Sequence, residues 1–369
     1  MQKARERNVV LHFNFIDFKA AFDTIWRKAL WRMLRVIGID NKIVNILENM
    51  YESTECAVMI NGNITNWFKV EVGVRQGCLF SPTLFNIVLE FVMNELGSLS
   101  MTLDLNKDMS SDIRYADDTT LITAMFQNLK QLTSELENSC KKWGMKINAS
   151  KCKVISPSEE DILIENHPID KVNEFVFLGS VVPGTSSDIK RRIALASAAF
   201  GRLQNKIWNR KDIKKALKVR LYYALIVPIA VYASETWTLL EEDKRKLEVF
   251  ENRCLRAMLG ITLRDRIRNE KVKKILNIRI NITDIIKKKR MNWFGHINRL
   301  PNTSYVLHTY KSEFPDPRPI GRPPKRWEDQ IKMDTGLPLR TAEKVAKDRG
   351  EWRSRAYSCV AKLSSGVCT

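Results

Sequence analysis

Hydrophobic positions along the first 180 residues change their period several times. Residues 9–17 form an apolar run closed by an acid, which predicts a strand. Residues 19–37 carry apolar side chains at helical spacing and stop at Gly38, a favoured residue for ending a helix. A second helix is expected over residues 40–51. Residues 56–60 and 64–70 flank Asn61-Gly62-Asn63, the pattern of a hairpin. After a polar loop at 71–80, Ser81 reads as an N-cap and Pro82 as the first residue of a helix to about residue 96. Residues 114–116 and 119–124 read as strand arms around Asp117-Asp118, followed by a helix over 128–143. Short strands are then expected near 146–155 and 175–182. Beyond a break at Pro183-Gly184 the spacing is mostly helical to about residue 260. The proline-rich stretch 315–324 is expected to be an extended linker or a nucleic-acid-facing arm.

Charge adds what periodicity does not contain. The chain of 369 residues has a formal net charge of +19, and residues 251–369 supply most of it, with 27 basic against 12 acidic side chains. Such an excess selects a polyanionic partner, nucleic acid or an acidic membrane surface. The most apolar run, 221–233, is too short to span a bilayer and contains Pro228. No signal-peptide core is present at the N-terminus, so the expectation is an intracellular protein of nucleus or cytoplasm with no membrane role. Seven cysteines without a CxxC pair argue for reduced thiols and against a disulfide scaffold or zinc ribbon.

Three acids stand out by context: Asp17 at the end of the first strand, and Asp117 with Asp118 in a tight strand-turn-strand. Adjacent carboxylates either stay solvated or hold a cation. Alone, Tyr115-Ala116-Asp117-Asp118 describes a polar turn as well as a metal site. The ordered set is more specific: FNFIDFKAAFD (13–23), RQGCLFSPTLFN (75–86), YADD (115–118), WGMKINASKCKV (143–154) and FVFLGS (175–180). In order and spacing these resemble motifs A to E of reverse transcriptases, and the wording is closest to non-LTR retrotransposons of the RTE-like type. The similarity continues through YASETWT (232–238), DRIRNE (265–270), WFGHINRLP (293–301) and GRPPKRW (321–327).

The resemblance implies an α/β right-hand polymerase palm, an antiparallel sheet backed by helices, over residues 1–182. A helical thumb over 183–262 and a basic, mostly helical nucleic-acid-binding region over 263–369 would follow. It implies an RNA-directed DNA polymerase that uses two Mg²⁺ ions, with Mn²⁺ as a substitute, on an RNA template, a DNA primer or target, and dNTPs. Asp17, Asp117, Asp118 and the backbone carbonyl of Phe18 would hold the metals, since Mg²⁺ prefers carboxylate and water oxygens. Phe22 stands where the family places the ring that excludes a ribose 2′-hydroxyl, although an amphipathic helix would also bury a phenylalanine there. Gln76 and Gly77 would meet the incoming nucleotide, and Lys151 is the candidate proton donor to pyrophosphate, with Lys146 and Lys153 as competitors. Phe177, Leu178 and Gly179 resemble a primer grip; a buried strand is the plainer alternative.

In the tail, Lys287, Lys288, Lys289 and Arg290 precede Trp293 and Phe294, a basic cluster beside aromatics that suits phosphates and unpaired bases. A solvated helix face is the competing reading. Arg322 would enter a narrow minor groove. His296 has no cysteine or histidine at metal spacing, so no zinc is expected. Only 16 residues precede Asp17, so the fingers are expected to be largely absent. That leaves open a truncated remnant that binds nucleic acid without catalysis.

Overall fold

The computed structural model describes residues 2–96, 112–312 and 325–365. The chain divides after Leu178 into two compact units.

In the first unit, a short helix α1 (Gln2–Glu6) leads into β1 (His12–Ile16), which is buried at all five positions. Burial on both faces makes β1 an interior strand of a five-stranded sheet. It pairs antiparallel with β7 (Asp118–Thr123) on one side and β8 (Lys153–Ile155) on the other. β6 (Asp112–Tyr115) extends the β7 side antiparallel, and β11 (Asp170–Lys171) extends the β8 side in parallel. Alternation sends Phe13 and Phe15 to one face, where the Phe15 ring meets Phe175 of β12 (Phe175–Phe177) at 4.5 Å. His12 and Asn14 point the other way. Asn14, fully buried, donates from Nδ2 to the Thr133 hydroxyl at 2.8 Å on the helix-covered face, while its Oδ1 has no hydrogen-bond partner among the described residues. That face packs against α5 (Phe126–Lys142), and α4 (Ser81–Asn94), α2 (Arg27–Val36) and α3 (Asn41–Glu52) complete the layer.

Two hairpins join α3 to α4: β2 (Glu55–Cys56) with β5 (Phe68–Lys69), and β3 (Met59–Ile60) with β4 (Asn63–Ile64). Asn61 and Gly62 form the two-residue turn, both with positive φ. That geometry matches the twist of a hairpin and explains the Asn-Gly choice. The short strands β9 (Leu163–Ile164) and β10 (His167–Pro168), like β11, carry no clear sequence signal.

Three local expectations change. The helix expected over 19–37 begins only at Arg27. Lys19 donates its amide to the Lys146 carbonyl and Asn148 donates to Asp17, so the segment after β1 is drawn into a backbone ladder and then turns, with Ala20 in the left-handed region. Ser81 is the first helical residue, after an N-cap at Phe80, and makes no capping bond. The hairpin around the acids turns one residue early, at Ala116-Asp117, so Asp118 belongs to β7.

The second unit begins with β13 (Ser180–Val182) and is otherwise helical among its described residues. α6 (Thr185–Arg202), α7 (Lys215–Leu221), α8 (Val227–Ala230), α9 (Glu241–Leu259) and α10 (Asn269–Ile275) enclose one apolar cluster. Ile282 and Ile286 of α11 (Ile282–Asn298) belong to that cluster, while Met291 and Phe294 of the same helix belong to a second. The second cluster is closed by α12 (Tyr305–Lys311), α13 (Trp327–Thr335), α14 (Leu339–Lys347) and α15 (Arg349–Ser365). Asp188, 2% exposed, anchors the first cluster by accepting from the Val181 amide at 3.0 Å and the Trp237 indole at 2.9 Å. No described helix is long and apolar enough to cross a membrane.

Candidate active site

Strand register sets two of the sequence-predicted acids side by side and leaves the third next to them in the turn. Ile16 pairs with Thr119 across β1 and β7, so the same register one step on sets Asp17 beside Asp118. Tyr115 pairs with Asp118, which leaves Ala116 and Asp117 as the two-residue turn. Ala116 has φ +54°, and a non-glycine residue there stores about 1–2 kcal/mol of strain. Asp17 is fixed by its backbone: its carbonyl accepts from Asn148 at 2.8 Å and its amide donates to the buried Cys152 sulfur at 3.4 Å. That ladder uses the carbonyls of Asp17 and Lys146 and leaves the Phe18 carbonyl out of the pairing.

The electrostatics fit a cation. Burial, then the charges of Asp117 and Asp17, raise the Asp118 carboxyl above its ordinary value. Asp17 Oδ2 is buried without a hydrogen-bond partner; the Lys151 ammonium lies 3.7 Å from it. Among the described residues no three His, Cys, Asp or Glu side chains converge as a ready-made ligand cluster. Three mutually repelling carboxylates have no reason to converge without counter-charge. An orphaned acid oxygen and an all-oxygen donor set nonetheless suit a hard divalent ion.

Phe22 lies in the turns after β1, with its ring stacked on Phe85 at 4.7 Å. Gln76 donates from Nε2 to both carboxylate oxygens of Asp23, at 3.1 and 3.3 Å. Asp23 is a residue that sequence reasoning passed over, although it closes the string FNFIDFKAAFD. Gly73 packs so tightly on Asp23 that a Cβ would come 2.6 Å from the Asp23 carbonyl oxygen, and Gly77 has φ +81°, so both glycines answer a backbone need. Lys153 is occupied by Asp170 at 2.6 Å, which separates it from Lys151.

Residues 2–182 match the family model for reverse transcriptase (RNA-dependent DNA polymerase). This half of the chain is a reverse transcriptase domain. The chain is 26% identical over 268 residues to a transposon-derived protein of Caenorhabditis elegans, covering 66% of this chain and 93% of that one. It is 23% identical to the RNA-directed DNA polymerase from mobile element jockey of Drosophila funebris, over 88% of this chain and 36% of that protein. It is 26% identical to the Pol polyprotein from the type-1 retrotransposable element R2 of Popillia japonica, over 50% and 32%. The chain thus spans about a third of the two polymerases. Apo telomerase from Candida tropicalis aligns with a TM-score of 0.42 at 14% identity, over 97% of this chain and 55% of that one.

A reverse transcriptase domain works with divalent metal ions in general. At the end of the domain, Phe177 rests 5.6 Å from the Phe15 ring. Leu178 and Gly179 follow with φ +47° and +83°, so this segment is a turn and not a continuous strand. The Gly179 carbonyl accepts from Arg191 and Arg192.

Beyond the reverse transcriptase domain, the basic cluster of α11 divides. Arg290 is 2% exposed and donates to Asp334 at 2.8 Å and to the Trp237 carbonyl at 3.2 Å. A guanidinium buried and paired in this way is unavailable to phosphate, which corrects its place among the nucleic-acid-binding residues. Phe294, fully buried, is likewise unavailable to stack on bases. Lys289 binds Glu235 at 3.0 Å and the Val231 carbonyl. Lys288 sits 3.9 Å from the centroid of the exposed Tyr357 ring, with Arg353 at 5.8 Å. Lys287 is half-buried, and Trp293 stacks on exposed His296 at 5.4 Å. Arg322 and the stretch 315–324 lie outside the described residues.

Proposed function

We propose that this chain is an RNA-directed DNA polymerase of a non-LTR retrotransposon, transferring a nucleotide from a dNTP to a primer 3′-hydroxyl on an RNA template. The observation that carries the reading is the register that sets Asp17 beside Asp118, with the Asp118 carboxyl raised by burial and then by the charges of Asp117 and Asp17. Two Mg²⁺ ions held by Asp17, Asp117, Asp118 and the Phe18 carbonyl would supply charge neutralisation and activation of the attacking hydroxyl. Mn²⁺ would serve in their place.

Lys151, its ammonium 3.7 Å from Asp17, is the proton donor to the departing pyrophosphate. Phe22, backed by Phe85, presents a rigid ring against a ribose 2′-hydroxyl, selecting deoxynucleotides by clash. Gln76, oriented by Asp23, and Gly77 meet the incoming nucleotide. The turn at Phe177, Leu178 and Gly179 holds the primer end through its backbone. Lys287, Lys288 and Trp293 in α11, with Arg322 farther along, meet the phosphates and bases of RNA or target DNA; this is a salt-sensitive contact. The palm is residues 1–182, the thumb 183–262 and the basic region 263–369, in a protein working inside the cell where template and target lie, in cytoplasm or nucleus.

Primer extension on an RNA template with four dNTPs and Mg²⁺ tests this reading. Template-length products that vanish with ribonucleotides and return with Phe22→Val support it. Absence of any dNTP-dependent product from a chain that binds the primer–template contradicts it.

A further inference from the structure

The loop that carries Gln76 and Gly77 has neither strand nor helix of its own, yet its main chain is held at close intervals. Arg27, the first residue of α2 and 8% exposed, donates from Nε to the Gly73 carbonyl at 2.8 Å and from Nη2 to Val72 at 3.3 Å. Its Nη1 reaches the carbonyls of Val70, at 2.5 Å, and Tyr51, at 3.1 Å. Burial lowers the pKa of this guanidinium below its ordinary value. A buried charge whose fork is spent on main-chain carbonyls is costly unless the loop it gathers needs a fixed shape.

Tyr51 supplies the second half of the device. Two guanidinium groups approach its ring, Arg27 at 5.1 Å and Arg75 at 5.3 Å from the centroid. The Ser81 hydroxyl donates to the Arg75 carbonyl at 2.6 Å, so the Tyr51 hydroxyl donates to Ser81 Oγ across 3.2 Å. The Arg75 amide in turn approaches the Tyr51 oxygen at 3.5 Å. This closes a ring of contacts around the peptide groups on both sides of Arg75, the residue immediately before Gln76. The Arg75 guanidinium reaches back to the Met50 carbonyl at 2.6 Å, and the Val74 amide donates to the Phe22 carbonyl at 2.7 Å. The network therefore ties the Gln76 loop to the segment that carries Phe22.

We infer that Arg27 and Tyr51 are positioning residues for the incoming nucleotide: they hold the segment from Val70 to Gly77 in the shape that lets Gln76 and Gly77 meet it. The inference rests on the polymerase reading above. A merely structural Tyr51 would tolerate loss of its oxygen, because the ring and its two cationic neighbours remain.

The test compares the full chain with Tyr51→Phe and Arg27→Lys. In primer extension, Tyr51→Phe raises the KM for dNTP about tenfold, the effect of one well-placed hydrogen bond, and leaves kcat within about twofold. Arg27→Lys does not restore the wild-type KM, because a single ammonium cannot span carbonyls that the fork reaches separately. Hydrogen exchange reads the loop without activity: amides of 72–78 exchange faster in Tyr51→Phe, and those of β1 and β7 keep the wild-type rate. An unchanged dNTP KM, or unchanged exchange in the loop, overturns the positioning role. A wild-type chain that shows no dNTP-dependent extension overturns the polymerase reading instead, a separate outcome.

Discussion

Asp17 and Asp118 stand side by side because β1 and β7 are in register one residue earlier, at Ile16 and Thr119. Burial, and after it the nearby charges of Asp117 and Asp17, raise the Asp118 carboxyl above its ordinary value of 3.8. The folded state thus keeps this proton to higher pH than the unfolded chain does. The cost of the charge is absent below pH 3.8 and fully felt above the folded pKa. Asp118→Asn accordingly stabilises the metal-free protein at pH 7, by less than about 1 kcal/mol for so exposed a group, and raises its melting temperature. The gain shrinks as pH falls toward 3.8. Added Mg²⁺ reverses the order, stabilising the wild type and not the variant. Scanning fluorimetry in chelator and in Mg²⁺ measures both.

Ala116 holds the turn between Tyr115 and Asp118 with φ +54°. Ala116→Gly releases this strain and stabilises the fold by about 1 kcal/mol, read as a higher denaturant midpoint with unchanged slope. Primer extension falls in the same variant, because the freed turn no longer aims Asp117.

The cysteines divide sharply by environment. Hydrogen bonds from the Phe80 backbone, and further ones from Ser81 and Tyr51, lower the Cys78 thiol below its ordinary value. Burial pushes Cys152 up to about 11 and Cys140 and Cys254 up to about 12. Iodoacetamide near pH 7.5 therefore modifies Cys78 while Cys140, Cys152 and Cys254 stay unmodified in the folded protein. Peptide mass mapping against time shows which thiols react.

Arg290 and Lys288 share a basic run but answer mutation differently. Arg290→Ala leaves Asp334 buried without its partner and costs roughly 3–5 kcal/mol of stability. Lys288→Ala leaves stability within about 0.5 kcal/mol. In RNA-binding titrations across salt it reduces the slope of log K against log salt by about one. Equal effects of the two substitutions on folding would contradict this assignment.

What the sequence carried, and what it did not, follows from the range of the interactions. The sheet strands next to Asp17 and the Asp117-Asp118 pair, the Asn61-Gly62 turn and helices α3, α4 and α5 were legible because each rests on local periodicity and turn chemistry, although the residue at which the acid-bearing hairpin turns was not. The delayed start of α2 was not. It depends on Lys19 pairing with Lys146, 127 positions away, and no local pattern encodes such a pairing. Phe22 reads equally well as a helix residue until that ladder is seen. Arg290 and Lys288 look alike in a row of four bases, and only the packing of α13 against α11, which brings Asp334 to Arg290, tells them apart. Arg27, in the string DTIWRKAL, gives no sign in sequence of the carbonyls it gathers from the Gln76 loop. The hydrogen bond from Gln76 to Asp23 joins two motif strings that sequence treats as separate.

The most direct measurement is RNA-templated primer extension in Mg²⁺ by the wild-type chain and by the Asp117→Ala, Asp118→Ala double variant, with template binding followed in parallel. The account predicts extension by the wild type, loss to the level of a no-enzyme control in the double variant, and equal template affinity in both. Extension that survives removal of both carboxylates would contradict it.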